Sequence, residues 1–235
     1  MSNKVSIITD FHSHLLPDID CSGNPNVSAK LLGTMSDLGV KNVVLTPHFY
    51  PQRNSNVEDF LASRDRKITD LHAAMKSEGV EDIRVIPGAE VLLCPRLEKL
   101  ENLCKLCISG TNTILVEMPD LPWSDALMET LVAIRDELGL EVVIAHIDRY
   151  GKKEAARLIA KGFKAQINSD STVSLSMRGT VLNWVKSGHI YALGSDKHVH
   201  SDKASYTYKE FPKAAAILSK YADSINERTL KLIGE

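Results

Sequence analysis

Short runs of β-branched and aliphatic residues recur along the chain, separated by longer stretches in which apolar positions return every three or four residues. The short runs are Val5–Thr9, Asn42–Leu45, Ile83–Ile86, Thr113–Val116, Glu141–Ala145, Lys164–Ile167 and Ile190–Leu193, and they predict seven strands. The longer stretches, among them Val57–Met75, Ser124–Leu138, Lys153–Ala160 and Val181–Lys186, carry the helical period. Glycines close them at Leu38-Gly39, Glu78-Gly79, Leu138-Gly139, Lys161-Gly162 and Ser187-Gly188, each shortly before the next strand. The tail, Glu210–Ile233, predicts two more helices. Alternation of strand and helix implies a parallel sheet covered by helices, as an open doubly wound sheet or as a closed barrel. No GxGxxG or GxxxxGK[ST] loop follows the first strand, which weighs against a nucleotide-binding sheet.

The polar residues favour the barrel. The first strand runs into Asp10-Phe11-His12-Ser13-His14, where Asp10, His12 and His14 share one face of an extended chain. Later strands end in His48, Glu90, Glu117, His146 (with Arg149 three residues on), Asn168 and the segment Gly194-Ser195-Asp196-Lys197-His198. A (β/α) barrel builds its active site at the C-terminal ends of its strands, and here each predicted strand ends in a ligand-type or polar side chain. Imidazole and carboxylate together suit Mn, Fe or Zn. Glu90, Glu117 and Asp196 bring three negative charges against the four positive charges of two divalent ions, so a site with two ions stays positive and favours a phosphate group.

Composition narrows the field. The 235 residues are 43% hydrophobic, enough for a sizeable core without disulfides. A net charge of −2 leaves no electrostatic footprint for nucleic acid, so a metal nuclease is disfavoured. Residues 1–9 lack the apolar core of a signal peptide and no run approaches a membrane span, so a cytoplasmic protein without membrane insertion is expected. The four cysteines, Cys21, Cys94, Cys104 and Cys107, suggest no disulfide scaffold, and Cys104-Lys105-Leu106-Cys107 has no second pair to complete a zinc knuckle. No Cys-x5-Arg loop is present, so a phospho-cysteine route is not expected.

The segment Asp10–Pro17 resembles the opening motif of the PHP (polymerase and histidinol phosphatase) family, and most closely its bacterial protein-tyrosine phosphatases that act with capsule and exopolysaccharide kinases. Leu45–Tyr50, Ile86–Glu90, Val116–Pro119, Ile144–Tyr150, Gln166–Ser169 and Gly194–His198 extend the resemblance over nearly the whole chain. It implies a single domain over residues 1–235, a distorted seven-stranded (β/α) barrel, with two or three divalent ions (Mn, Fe or Zn). His12, His14, Glu90 and Asp196 would hold one ion, Glu90, Glu117 and His146 a second, and His48 and His198 a third. Arg149 matches the family's phosphate-binding arginine, and Arg149 and His48 are the groups expected to act directly in catalysis. The implied reaction is in-line attack on a phosphotyrosine phosphorus by a hydroxide bridging the ions, on a protein substrate such as a bacterial tyrosine kinase.

Two departures from the family pattern stand out. Where relatives read Asp-Asp-Gly after the first strand, this chain has Asp18-Ile19-Asp20-Cys21-Ser22-Gly23. Cys21 then coordinates as a thiolate, or Asp20 takes its place, or the third position goes unused. After the last ligand histidine comes Val199-His200-Ser201-Asp202-Lys203, in which Lys203 is a candidate substrate contact and His200 reads as a solvated neighbour. Tyr150 is a candidate pocket residue and Asp10 a candidate to orient a ligand histidine. His72, His189, Trp123 and Trp184 read as packing or surface residues. The rival readings are a small-molecule phosphatase of the same superfamily, such as a histidinol phosphatase, an amidohydrolase, and a non-catalytic kinase partner with a degenerate site.

Overall fold

The computed structural model describes residues 4–19, 24–54, 56–120, 122–199 and 207–235. Seven longer strands carry the architecture: β1 (Thr9–His14), β2 (Asn42–Leu45), β4 (Arg84–Pro87), β6 (Thr113–Glu117), β7 (Glu141–Ile144), β8 (Lys164–Asn168) and β9 (Ile190–Gly194). Three short strands, β3 (His48–Phe49), β5 (Glu90–Leu92) and β10 (Lys197–His198), lie just beyond the ends of β2, β4 and β9. Every pairing is parallel, in the orders β10-β1-β2-β4 and β3-β5-β6-β7-β8-β9. β1 lies against β9, and a hydrogen bond from Asp196 N to His12 O (2.8 Å) crosses that seam. At the other seam Ser109 N donates to Pro87 O at 2.8 Å. The result is a distorted seven-stranded barrel whose ladders, among the described residues, fall into two sheets.

The first strand departs from the expectation. The apolar run Val5–Ile8 is its approach, and the ladder begins at Thr9 and contains the histidine motif itself. Ile8 O is taken by Lys41 N and Asn42 N, so β2 begins where that run ends. A register shift between Asp10 and Ser13 bulges β1 over Phe11 and His12.

Helices α1 (Pro25–Asp37), α2 (Val57–Ser77), α3 (Asp125–Asp136), α4 (Gly151–Ala160), α5 (Ser169–Val173), α6 (Leu175–Lys186), α7 (Glu210–Ile217) and α8 (Ala222–Leu232) fill the connections and the tail. The caps are local chemistry: Asn24, Asn56 and Ser124 accept backbone N–H groups at the starts of α1, α2 and α3. No helix among the described residues is long and apolar enough to cross a membrane.

Alternation along the strands divides the core in two. Val43, Leu45, Ile114, Val116, Val142, Ile144, Ala165 and Ile167 pack outward with the helices. Phe11, Val44, Ile86, Leu115, Val143 and Ala192 face inward and are closed off by Leu232 and Ile233 at the end of α8. That inward layer is the floor beneath the polar strand ends.

Candidate metal centre

The three short strands do the gathering. Their register pairs His14 with His198 and His48 with Glu90, while β5 sets Leu92 beside Glu117. From α2, the buried Arg64 donates to Gly88 O (3.0 Å) and pins the turn that carries Glu90.

Glu90 is the centre of the arrangement. One carboxylate oxygen, Oε2, lies 3.1 Å from His12 Nε2, 3.2 Å from His14 Nε2 and 3.0 Å from His48 Nδ1. The other, Oε1, lies 2.8 Å from His146 Nε2, which is 3.6 Å from Glu117 Oε1. Asp196 Oδ1 closes the first group, 3.3 Å from His14 Nε2 and 3.8 Å from His12 Nε2. The Nε2 atoms of His12 and His14 are 2.9 Å apart. Atoms bound at about 2.0–2.1 Å to one tetrahedral ion stand roughly 3.3 Å from one another. The spacing around Oε2 and Asp196 Oδ1 therefore suits a shared divalent cation, and the donor set of imidazoles and carboxylates fits Mn, Fe or Zn. A third group, His14, His48 and His198, offers three ring nitrogens, and a further one joins His48 to Glu90 and Glu117. The His14 and His198 rings stack at 4.2 Å between centroids.

Backbone conformation at the site is unusual. His146 (φ 30°) and Asp196 (φ 51°) both occupy the left-handed region that non-glycine residues avoid. Gly194 lets β9 approach closely: a Cβ there would fall 2.6 Å from His12 Cβ and 2.7 Å from Gln166 Nε2.

The electrostatics match a cluster of ionised acids among bases. Burial works to raise Glu90, yet the attraction of His12 and hydrogen bonds from His12, His14 and His146 hold it well below the usual carboxylate range. Asp196 is likewise lowered against its burial, by a hydrogen bond from His14 and by the charges of His12, His14 and Arg149. His12 is raised despite burial, because Glu90 and Asp196 face it. Burial and the neighbouring His14 push His198 down to about 4. Glu117 rises through burial and the repulsion of Glu90.

Around this centre stand residues with supporting positions. Arg149 is half exposed and pairs with Asp196 Oδ2, which Asn168 Nδ2 also reaches at 3.0 Å. The Tyr150 hydroxyl accepts from Met118 N (3.0 Å) and lies 3.2 Å from His146 Nδ1. It stands behind the histidine, where it holds the ring's orientation. Asp10 braces His12 through the backbone: its Oδ1 accepts from His12 N at 3.4 Å. Among the described residues its carboxylate meets no ring nitrogen; Oδ1 also accepts from Ser195 N (2.8 Å) and Oδ2 from Tyr208 Oη (2.7 Å), so it clasps the loop that carries Asp196. The partner of His12 Nδ1 is Gln166 Oε1, at 3.0 Å. Sequence reasoning passed over Gln166 as a contact, although it precedes Asn168 by two positions on β8 and so shares its inward face. Asp20, Cys21 and Lys203 lie outside the described residues.

A parallel (β/α) barrel with imidazoles and carboxylates converging at its C-terminal strand ends has the layout of a metal-dependent hydrolase. The chain belongs to the CpsB/CapC family of capsular polysaccharide synthesis, whose profile matches residues 8–231. One structure from the pair YwqE of Bacillus subtilis and CpsB of Streptococcus pneumoniae, described as unique metal-dependent tyrosine phosphatases, superposes with a TM-score of 0.74. It is 22% identical, over 95% of this chain and 94% of that one. The phosphotriesterase homology protein of Escherichia coli, solved with phosphate in its active site, is 12% identical with a TM-score of 0.51, over 95% and 92% of the two chains. At these identities the likeness is one of fold. Comparison with curated protein sequences gave no match.

Proposed function

We propose that the protein is a metal-dependent protein-tyrosine phosphatase, acting on phosphotyrosine of a tyrosine kinase of capsule or exopolysaccharide assembly. The observation that carries the reading is the division of Glu90, with His12, His14 and His48 against one oxygen and His146 against the other. A carboxylate so placed would serve two cations, one on each oxygen. His12, His14, Glu90 and Asp196 would hold the first ion, and Glu90, Glu117 and His146 the second. His48 and His198, both partly exposed beside His14, offer the third position. Bound divalent ions supply a hydroxide nucleophile at neutral pH and neutralise charge on the phosphoryl group.

The chain's own groups do the rest. Arg149, at the rim of the cluster, binds phosphoryl oxygens, and a planar guanidinium suits their geometry. Asp196 aims it, since one oxygen faces His12 and His14 while the other faces Arg149. A tyrosine leaving group has a pKa near 10 and needs less help from a general acid than an alkoxide. Membership of a capsular polysaccharide synthesis family supports a kinase of that pathway as the substrate.

The test is metal content of the purified protein by elemental analysis, paired with phosphate release from a phosphotyrosyl peptide and from histidinol phosphate. Two or three equivalents of Mn, Fe or Zn, with peptide turnover that stops on chelation, are expected. Metal without peptide turnover overturns the tyrosine-phosphatase assignment in favour of a small-molecule phosphatase. Neither metal nor turnover overturns the enzyme reading and leaves a kinase-binding module.

A further inference from the structure

We infer that Gln166 is a positioning residue that sets where the proton sits on His12 and, through Asn168, how Asp196 faces the cluster. The inference rests on the metal-centre reading above and deepens it. Gln166 is fully buried on the inward face of β8. Its amide has only one possible orientation. Gln166 Oε1 lies 2.7 Å from the backbone N–H of His146, which can only donate. Gln166 Nε2 lies 2.6 Å from the carbonyl of Ile167, which can only accept. With the oxygen end so fixed, the 3.0 Å contact to His12 Nδ1 requires a proton on that nitrogen. Neutral His12 therefore keeps its lone pair on Nε2, the atom that faces His14, Glu90 and Asp196.

The same polarity runs onward. Gln166 Nε2 also donates to Asn168 Oδ1 (2.8 Å), which turns Asn168 Nδ2 towards Asp196 Oδ2 at 3.0 Å. Asp196 Oδ1 is left facing the two histidines. One buried amide thus commits a ligand of the first position and the backbone of His146, a ligand of the second. Gly194 makes the contact possible, because any larger residue would push into both His12 and Gln166. An acceptor behind a ligand histidine fixes its tautomer and raises its basicity, and losing one typically lowers metal affinity about 10–100-fold.

The experiment uses the full chain labelled with 15N and loaded with zinc alone. Long-range proton–nitrogen correlation should find His12 protonated at Nδ1 and bare at Nε2. Zinc affinity, by competition with a chelator, should fall about 10–100-fold in Gln166→Met. Gln166→Glu, buried as the neutral acid, keeps an oxygen for His146 N and His12 Nδ1 and a hydroxyl to donate on the Ile167 and Asn168 side, and should lose less. A packing role alone predicts the reverse order, since methionine matches the shape and glutamate buries an ionisable group. A bare Nδ1 on His12, or zinc held by Gln166→Met as tightly as by the wild type, overturns the inference. If the wild type takes up no zinc, the metal reading falls instead. The zinc-free spectrum, recorded at a pH high enough for His12 to be neutral, then judges Gln166, a proton on Nδ1 supporting its role and a bare Nδ1 overturning it.

Discussion

Leu115 and Glu117 stand two residues apart on β6 and face the same space between the sheets, yet their surroundings share nothing. Leu115 sits in the apolar floor with Phe11, Val44, Ile86, Val143 and Ala192. Glu117 is a step higher, among Glu90, His146 and His48. In the floor each side chain contributes burial and dispersion, and a neighbour of similar volume can replace it. In the upper layer each polar group satisfies another, so removing one leaves a buried partner uncompensated. The floor holds the barrel together; the upper layer spends part of that stability on keeping charged groups close.

Substitutions should separate the two layers. The largest effect is expected from Glu90→Gln, which removes the charge both positions share. Metal uptake and phosphate release should vanish while the far-ultraviolet circular dichroism remains that of the folded protein, and a variant that keeps its full metal complement would sink the bridging role. Arg149→Ala should lower kcat on a phosphotyrosyl peptide by about 10²–10³-fold, the scale of losing one charge-stabilising donor. Its metal content should not change, since among the described residues Arg149 meets the cluster at Asp196 Oδ2, the oxygen turned away from the histidines. Leu115→Ala should do the opposite: urea titration should show a loss of about 2–5 kcal/mol, with metal stoichiometry intact.

Smaller effects lie at the borders. Tyr208→Phe deprives the buried Asp10 of one donor and should cost about 1–3 kcal/mol of stability. Asp10 is already raised by burial, against the hydrogen bonds of Ser195 and Tyr208, so the variant should raise it further. Away from the site, burial and the nearby Cys104 push the Cys107 thiol up to about 12 from an ordinary 9.0. Below pH 9 both folded and unfolded chains keep that proton. As pH climbs towards 12 the unfolded chain loses it first, so stability falls across that window. Denaturation midpoints at pH 8 and 10 should show the decline in the wild type and a shallower one in Cys107→Ala. The exposed Cys104 should react with an alkylating reagent well before the buried Cys107.

Much of the barrel was legible because strand and helix periods are local. The runs at Asn42–Leu45, Thr113–Val116 and Ile190–Leu193 sit on observed strands to within a residue. The first run misled, because Val5–Ile8 looks like a strand by its apolar residues while the ladder lies in the polar motif that follows. There pairing with β2 and β10 outweighs intrinsic preference. The short strands β3, β5 and β10 were not foreseen as strands. Two or three residues carry no periodic signal, and only their neighbours make them pair.

The residue types of the site were written in the chain: His12, His14, Glu90, Glu117, His146 and Asp196 follow their strands because a parallel barrel puts every strand end on one rim. Their proximity to one another belonged to the fold alone. So did the bonding of Asp10 to Ser195 and Tyr208, the place of Tyr150 behind His146, and the choice of Gln166 as the partner of the His12 ring. Local sequence determines which strand a side chain ends and which face it takes. Which buried donor meets which buried acceptor depends on bulges, seam contacts and one missing Cβ at Gly194, all set by strands far apart in the chain.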